Sequence, residues 1–506
     1  MWTCPKCGKI FQKVNQPHNC KEVFFGKNNN GKSLVFSPSQ RIFEPKMVLE
    51  DLFSKNPELT KQALKAFSGG GIWTSGTSVN IKDLEKTTGR NFGDILYTPG
   101  VSAPSLKLSD LQLLAQKENT PKAWRIFWEA VDRYTPKFRR VAVISDATRV
   151  LGMGDIGPFA GQEVMYGKSL LFGLLGGLYG EPHILTSTDP KETIRFALNG
   201  QAAWGGINLE DIQSPECFGI LDELKRKSEI AVWHDDQQGT AAVILAGLLN
   251  SLKVANKNIG EVKIVFVGFG AANTKTFEYI VAAGADPEKC LCLDSKGIIH
   301  KKRADIDWGK YPNKKRAAKM TKPNITGDPA EAFKGADVVI SLSKLDSFKL
   351  KDVSGMANKA IVFACANPIP EIDPLAAGKL ENVAVIGTGR SDYPNQTNNS
   401  LFFPGGMAGA LAVGSRNISD GMVVAGAKAL ANQVPNPSPN MILPAMTLKN
   451  MVEISPLIAM NVAKIAMKEG MARFRKPLDQ IHNEVQERIL YNQKVLRVLA
   501  KAGLLK

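Results

Sequence analysis

Residues 262–273 read VKIVFVGFGAAN, an apolar, β-branched run that is followed at once by two glycines, Gly268 and Gly270. The run predicts a buried strand, and the segment TKTFEYIVAAGA that follows predicts a helix directly after the turn. Glycines at such a turn allow a tight bend and let a pyrophosphate approach the helix N-terminus, where N–H groups and the dipole favour anions. The stretch therefore predicts a dinucleotide-binding unit of the Rossmann type.

The choice of dinucleotide depends on the end of the next strand. This strand, KCLCL at 289–293, is followed by Asp294, which lies 21 residues beyond Asn273. In NAD sites an acid at this place binds the ribose 2′-hydroxyl, whereas Ser295 and Lys296 are suited to the 2′-phosphate of NADP. The sequence does not decide between NAD and NADP, with a slight preference for NADP. The predicted cofactor contacts are Gly268, Gly270, Ala271, Ala272, Asn273, Asp294, Ser295 and Lys296, with Asn273 in place of the third glycine of the usual fingerprint.

Strand-like and helical segments alternate along most of the chain, which is the pattern of parallel sheets covered by helices. We predict an α/β fold with four parts. They are a small Cys/His module at 1–24, an α/β catalytic domain at 25–236, a Rossmann-type dinucleotide-binding domain at 237–430 and a helical C-terminal segment at 431–506.

Composition, cysteine spacing and net charge disfavour membrane, secreted and nucleic-acid-binding classes of protein. The 506 residues contain no run of about 18 apolar residues and no secretory signal at the start, so we expect no membrane span. Seven cysteines without framework spacing favour a reducing, cytoplasmic setting. The net charge of +16 fits anionic substrates, phosphorylated cofactors or nucleic acid, but the basic clusters at 301–303 and 313–316 lack interleaved aromatics, which disfavours nucleic acid.

Two pairs of acids follow predicted strands. Asp235 and Asp236 occur in VWHDDQQGT at 232–240, and Glu210 and Asp211 end the segment INLED at 207–211. Because the carboxyl ends of parallel strands face one crevice, these pairs are expected to converge there. Oxygen ligands without His or Cys indicate Mg²⁺ or Mn²⁺. The alternative is that both pairs are helix caps and solvated turn residues.

Three further side chains are candidates for chemistry. Lys168 is expected near the start of an apolar helix, where the dipole and desolvation would lower its pKa and make it a proton acceptor. Tyr97 precedes a Pro-Gly turn, and Arg149 lies on a Gly-rich turn after the strand-like VAVIS. Taken singly, these residues also fit a packed aromatic, a surface lysine and an ion-pair partner.

The first twenty residues carry a possible metal site. The turn CPKCG holds Cys4 and Cys7, and His18 and Cys20 follow, so a Cys₃His set could bind a structural Zn²⁺. A module this small would need the metal to fold. The alternative is a tail with unrelated cysteines.

Seven segments occur in the order typical of one enzyme family. They are LYTPGV, RVLGMGDIGPF with YGK, INLEDI, HDDQQGTAAVILAGLL, GFGAAN, CANPIPEI and GTGRSDYPNQTNNSLFFPGG, from about residue 90 to 410. The chain thus resembles the malic enzymes. The resemblance implies oxidation and decarboxylation of L-malate to pyruvate and CO₂ with reduction of NAD or NADP, a C-terminal segment that returns to the catalytic domain, and a homodimer.

The resemblance also implies roles for individual residues. Tyr97 looks like the general acid and Lys168 like the general base, and Arg149 resembles the clamp on a substrate carboxylate. The implied metal ligands are Glu210, Asp211 and Asp236, with Asp235 supporting them, and the implied substrate or nicotinamide contacts are Asn367, Asn398 and Asn399. Two alternatives remain: a malolactic enzyme that converts malate to lactate, and a zinc-ribbon regulator whose enzyme domain is inactive.

Overall fold

The computed structural model describes residues 108–150, 153–321, 327 and 329–502, together with four short strands before residue 37. The chain divides into two compact units, residues 1–135 and 136–506.

The first unit contains two short β-ribbons and a helical pair. Strands β1 and β2 pair antiparallel, as do β3 and β4. Thr120 caps the second helix, since its Oγ1 accepts a hydrogen bond from the Ala123 N–H at 3.2 Å, and Pro121 follows at the first helical position. The elements are Trp2–Thr3 (β1), Ile10–Phe11 (β2), Val23–Lys27 (β3), Ser33–Phe36 (β4), Leu108–Glu118 (α1) and Pro121–Tyr134 (α2).

The second unit begins with a four-stranded parallel sheet. Its strands are Arg140–Ser145 (β5), Tyr179–Ile184 (β6), Gly206–Leu209 (β7) and Ala231–His234 (β8), in the order β6-β5-β7-β8. Strands β7 and β8 are buried along their whole length, as expected for a parallel sheet covered on both faces. The accompanying helices are Gly157–Ala160 (α3), Gln162–Gly176 (α4), Pro190–Gly200 (α5) and Glu216–Lys227 (α6).

A second sheet of six strands follows in the order β11-β10-β9-β12-β13-β14, and all pairs are parallel except β10 with β11. Its strands are Ile264–Val267 (β9), Cys290–Asp294 (β10), Gly297–Ile298 (β11), Val338–Ser341 (β12), Ala360–Ala364 (β13) and Val383–Thr388 (β14). Its helices are Thr240–Ala255 (α7), Ala271–Ala282 (α8), Pro312–Met320 (α9), Pro329–Phe333 (α10), Leu350–Ser354 (α11) and Pro374–Ala377 (α12). The α/β fold with a Rossmann-type domain is therefore confirmed.

Helix α7 joins the two sheets into one core. The largest cluster of buried apolar side chains includes Trp233 on β8, most of α7, and Phe266 on β9. The predicted domain bound at 236/237 thus falls inside a continuous core, and the predicted domain limits stay predictions. Of the described residues, one helical stretch, Asp235–Ala255, is long and apolar enough to cross a membrane, but 78% of its apolar 18-residue window is buried, as in a core helix.

Four helices complete the second unit, and the last returns to the first sheet. Asn492 Nδ2 on this helix donates to the Gly173 carbonyl of α4 at 2.9 Å, and Gln493 Nε2 donates to the Leu174 carbonyl at 3.1 Å. These bonds satisfy carbonyls at the end of α4. The four helices are Phe403–Ala412 (α13), Asp420–Ala431 (α14), Leu448–Lys468 (α15) and Leu478–Lys501 (α16).

The turn between β9 and α8 requires glycine at its first position. Gly268 has a φ of +77°, and a Cβ at this residue would lie 2.7 Å from Ser343 Cβ. Gly270 is extended, with open space around it. Asn273, predicted as a cofactor contact, is instead fully buried, and its Nδ2 donates to the Val267 carbonyl at 2.8 Å. Its side chain therefore stabilises the turn through this hydrogen bond.

We predict that Gly268→Ala lowers the free energy of unfolding by about 1–3 kcal/mol, because it adds both a strained φ and a steric clash. Urea unfolding of the full-length protein measures the change. Gly270→Ala is the matched control, because its backbone suits any L-residue, and it should stay within about 0.5 kcal/mol of the wild type. Equal losses in the two variants would contradict the steric account.

Candidate active site

The parallel first sheet brings three strand ends to one edge. Strands β5, β7 and β8 end at Ser145, Leu209 and His234. The segments that follow carry the acids that the sequence placed there, namely Glu210 and Asp211 after β7, and Asp235 and Asp236 after β8. Arg149, in the segment after β5, is tied to this edge because its N–H donates to the Asp211 carbonyl at 3.0 Å. The acidic pairs therefore converge as expected.

The two adjacent aspartates lie on a single wide helical turn, Asp235–Gly239, between β8 and α7. The turn separates their carboxylates, because Asp235 is fully buried whereas the Asp236 side chain keeps 37% of its exposure. Gly239 is necessary to this turn, since a Cβ there would collide with the Asp235 carboxylate. Burial lowers the pKa of the preceding His234 to about 3, so its ring is neutral beside the acids.

Asp235 holds Lys168 in place. Its Oδ2 accepts hydrogen bonds from Lys168 Nζ at 2.5 Å and from Asn399 Nδ2 at 2.5 Å. Its other oxygen, Oδ1, accepts from the Trp233 indole N–H at 3.1 Å. Three donors thus surround this carboxylate, and the supporting role that the resemblance implies for it stays a prediction.

The structure corrects two expectations about Lys168. Helix α4 begins at Gln162, so the lysine lies in the second turn, and the helix start cannot be what sets its pKa. Burial acts to lower the pKa of Lys168, but the charges of Asp235 and of Glu210, whose Oε1 lies 2.9 Å away, outweigh it and raise the pKa above the ordinary lysine value. Lys168 is therefore a buried ammonium in this state.

Three carboxylates form a compact cluster next to the ammonium. Glu210, Asp211 and Asp236 each offer one oxygen within 4.8 Å of the other two. Burial and the neighbouring acids raise the pKa of Glu210 well above its usual range, although Lys168 opposes the shift. Desolvation by the surrounding protein also raises the pKa of Asp236, although its side chain keeps 37% of its exposure. Such a set of crowded hard oxygens fits a divalent cation, because the cation would relieve both the repulsion and the desolvation.

The remaining predicted residues either lie outside the three-carboxylate cluster or lie outside the described residues. Asn398 uses its Oδ1 to accept from the Ser400 N–H at 2.9 Å, so its side chain caps a short turn. Asn367 is exposed after β13. Tyr97 and the proposed zinc ligands Cys4, Cys7, His18 and Cys20 lie outside the described residues. The zinc module, the homodimer and the cytoplasmic location stay predictions from the sequence.

Two residues of the site were not found from the sequence. The ring of Phe403 lies 4.2 Å from Lys168 Nζ, so a cation–π contact supports the ammonium from a third side. Glu371 is fully buried and accepts the N–H groups of Ser343 at 2.9 Å and Ala366 at 3.0 Å. It thereby fixes the segments after β12 and β13. The motifs FFPGG and PIPEI contain both residues, but nothing in the motifs shows which side chain each would meet.

The surroundings of Asp294, a predicted cofactor contact at the end of β10, also differ from expectation. Asp294 is bonded by Lys314 Nζ at 2.8 Å and by Arg303 Nη1 at 3.2 Å. Burial opposes the shift, but these bonds lower the pKa of Asp294. Ser295 and Lys296 are exposed. The two cations come from the basic clusters at 301–303 and 313–316, so one residue of each cluster contacts Asp294.

The two adjacent aspartates should respond differently to amidation in the metal-free protein. Asp235→Asn should lower the free energy of unfolding by about 3–5 kcal/mol, because it breaks a buried charge pair. Asp236→Asn should leave it unchanged or slightly higher, because it removes a charge that repels Glu210. Thermal or urea unfolding in chelator distinguishes them.

The same two variants test the metal site. Added Mn²⁺ should raise the melting temperature of the wild type by mass action, and Asp236→Asn should lose most of that gain. Equal metal-free stability in the two variants, or a full Mn²⁺ response in Asp236→Asn, would refute the division of roles.

Comparisons with known proteins agree with this geometry. The family models described as malic enzyme, N-terminal domain and malic enzyme, NAD binding domain match residues 78–189 and 237–467. The NAD-dependent malic enzyme of Geobacillus stearothermophilus is 40% identical over 383 residues, which are 75% of this chain and 74% of that protein. The bifunctional malic/malolactic enzyme of Bacillus subtilis is 35% identical over 412 residues, 80% of this chain and 94% of that protein.

A solved structure extends the likeness to three dimensions. The malic enzyme from Pyrococcus horikoshii Ot3 superposes with a TM-score of 0.72 at 37% identity, covering 88% of this chain and 99% of that one. Ordered motifs, fold and relatives coincide over most of the length. The chain therefore belongs to the malic enzyme family.

Proposed function

We propose that this protein oxidises and decarboxylates L-malate to pyruvate and CO₂ while it reduces NAD or NADP. The observation that carries the proposal is the contact of Lys168 with Glu210, because it joins a buried amine to a three-carboxylate cluster at the edge of the first sheet. The reaction needs a base, a place for a divalent cation and a hydride acceptor, and the second sheet supplies a dinucleotide turn for the last.

Glu210, Asp211 and Asp236 would hold Mg²⁺ or Mn²⁺. A cation bound there would supply positive charge to polarise the substrate oxygen during oxidation and decarboxylation. Asp235 is already surrounded by three donors and would stay outside the coordination, where it keeps Lys168 oriented. Of the two acids on this turn, Asp236 would thus bind the cation and Asp235 would orient Lys168.

The buried ammonium explains how Lys168 becomes a base. Two carboxylates raise its pKa in the metal-free state. A cation held by Glu210 would cancel the support that this carboxylate gives to the ammonium and would add a positive charge nearby, so the pKa of Lys168 would fall from its metal-free level, although Asp235 still opposes the change. Lys168 would then take the proton of the substrate hydroxyl, and NAD or NADP, when bound, would supply the hydride acceptor.

Tyr97, Arg149 and the asparagines complete the proposal. As the family resemblance implies, Tyr97 protonates the enol carbon after CO₂ leaves. Arg149 lies at the edge where the acids converge, and its fork suits one carboxylate of malate. Asn399 and Asn367 are the proposed contacts of the substrate or the nicotinamide, and the bond of Asn399 to Asp235 keeps its amide at the acidic edge.

For the cofactor we propose NADP as the preferred form. The 2′-hydroxyl of NAD needs an accepting carboxylate, but Asp294 is already bonded by Arg303 and Lys314. The side chains of Arg303 and Lys314 could instead bind a 2′-phosphate, whose negative charge would take the place of the Asp294 carboxylate. Lys296, 66% exposed, could add a further charge.

Removal of the proposed base or acid should slow the chemistry selectively. Lys168→Ala and Tyr97→Phe should lower kcat by about 10²–10⁴-fold, because a positioned acid or base contributes that much. Cofactor affinity should be nearly unchanged. The measurement is NADPH or NADH formation from malate with Mn²⁺, and Lys191→Ala, an exposed lysine of α5, is the control.

The products decide between this function and its alternatives. Oxidative decarboxylation yields one pyruvate for each reduced cofactor. A malolactic enzyme, suggested by the name of the Bacillus subtilis relative, would yield lactate without net reduced cofactor. Wild-type turnover in both variants would overturn the roles of Lys168 and Tyr97, and no turnover of malate in the wild type would overturn the function.

Cofactor preference should depend on Lys314. Lys314→Ala should lower the ratio of kcat/KM for NADP to that for NAD by about 10–100-fold, since a hydrogen bond to a charged group contributes about 1.5–3 kcal/mol. Lys315→Ala, an exposed neighbour on α9, should leave the ratio unchanged. An unchanged ratio in Lys314→Ala would contradict the NADP proposal.

A further inference from the structure

Asp211, one of the three clustered acids, has an unusual backbone conformation. Its φ is +51°, in the left-handed region, which is unfavourable for a residue with a side chain and persists only where surrounding contacts hold it. Asp211 is 4% exposed, and the direction of its carboxylate towards Glu210 and Asp236 depends on this conformation. The contacts that hold its backbone therefore bear on the whole cluster.

Three hydrogen bonds hold the chain at and beside Asp211. Its N–H donates to Asp236 Oδ2 at 2.9 Å, and its carbonyl accepts the Arg149 N–H at 3.0 Å. Two residues further on, the Gln213 N–H donates to Thr148 Oγ1 at 3.0 Å. Two of these three bonds come from the segment after β5, so that segment fixes the one after β7.

The Thr148 hydroxyl is itself held in one orientation. It lies 2.6 Å from Asp146 Oδ1, and the same oxygen accepts the Thr148 N–H at 3.1 Å. Because the Gln213 N–H can only donate, the hydroxyl accepts from it and gives its own proton to Asp146. Asp146 and Thr148 are buried, at 4% and 5% exposure. A chain of hydrogen bonds thus runs from the end of β5 to the segment that carries Asp211.

We propose that Asp146 and Thr148 are positioning residues for the divalent cation. They hold Asp211 in its left-handed conformation, so that its carboxylate meets those of Glu210 and Asp236. The inference rests on the metal site of the proposed function and deepens it. Loss of the Thr148 hydroxyl would release the Gln213 N–H and let Asp211 relax towards a negative φ, which turns its carboxylate away from the other two.

Two substitutions of one residue test the role of the hydroxyl. Thr148→Val keeps the shape of the side chain without the hydroxyl, and it should weaken Mn²⁺ binding by about 10–100-fold, the usual effect of losing a group that orients a metal ligand. Thr148→Ser keeps the hydroxyl and should stay within about threefold of the wild type, because the chain of bonds is retained. The measurement is a titration of the full-length protein with Mn²⁺, without malate or dinucleotide, in which free Mn²⁺ is followed by its paramagnetic resonance signal.

A buried threonine elsewhere provides the matched control. Thr193, on α5, is 1% exposed, and among the described residues its hydroxyl has no hydrogen-bond partner. Thr193→Val should therefore leave the Mn²⁺ affinity unchanged. In turnover assays Thr148→Val should need about 10–100-fold more Mn²⁺ for half of its maximal rate, with kcat at saturating Mn²⁺ within about threefold of the wild type, because only cation binding is weakened.

A purely structural role for the hydroxyl predicts a different result, namely a lower melting temperature with wild-type Mn²⁺ affinity in the folded variant. That result, or equal losses of affinity in Thr148→Val and Thr148→Ser, overturns the inference. Thr148→Ala removes the same hydroxyl and takes the place of Thr148→Val if the latter does not fold. A wild type that binds Mn²⁺ but does not turn over malate would overturn the proposed function and not this inference.

Discussion

The buried ammonium of Lys168 between Asp235 and Glu210 is the interaction on which the rest of the site depends. Charges removed from water are costly unless each finds good partners, and the fold supplies them: the Trp233 indole and the Asn399 amide on Asp235, and an aromatic ring beside the amine. The ammonium in turn allows several carboxylates to share one buried edge. One positive charge does not balance them, and the remaining negative charge is what makes the cluster suited to a divalent cation.

How far the sequence predicts this site can be judged from its acids and its base. Glu210, Asp211, Asp235 and Asp236 were placed correctly because periodicity identifies strands, and parallel strands must end at one edge. The environment of Lys168 was not predicted correctly. Its partner Asp235 is 67 residues away along the chain, and a local argument from the helix dipole cannot include such a partner. Local pattern thus gives the position of a residue, whereas tertiary contacts set its protonation.

The predicted cofactor contacts also show that the sequence gives the position of a residue but not its tertiary contacts. The spacing from the glycine turn identified Asp294, and the basic clusters holding Arg303 and Lys314 were visible in the sequence. What could not be seen was that the clusters fold back onto the acid. Asn273 likewise fits the fingerprint by position, yet its side chain is buried and bonded to main-chain carbonyls. A fingerprint fixes the backbone path near a ligand, but it does not decide which side chains face the ligand.

The turn that carries Asp235 and Asp236 and the helix that begins at the dinucleotide turn are linked by buried hydrogen bonds. On the wide turn beside Asp236, Gln238 accepts the His234 N–H at 3.0 Å and donates to the Tyr279 hydroxyl at 3.0 Å. Tyr279 is fully buried on α8, the helix that begins at the dinucleotide turn. The carboxylate turn and the cofactor turn are thus connected through one buried glutamine and one helix. This polar pair lies inside an otherwise apolar core, and it couples the position of the carboxylate turn to that of the helix that begins at the dinucleotide turn.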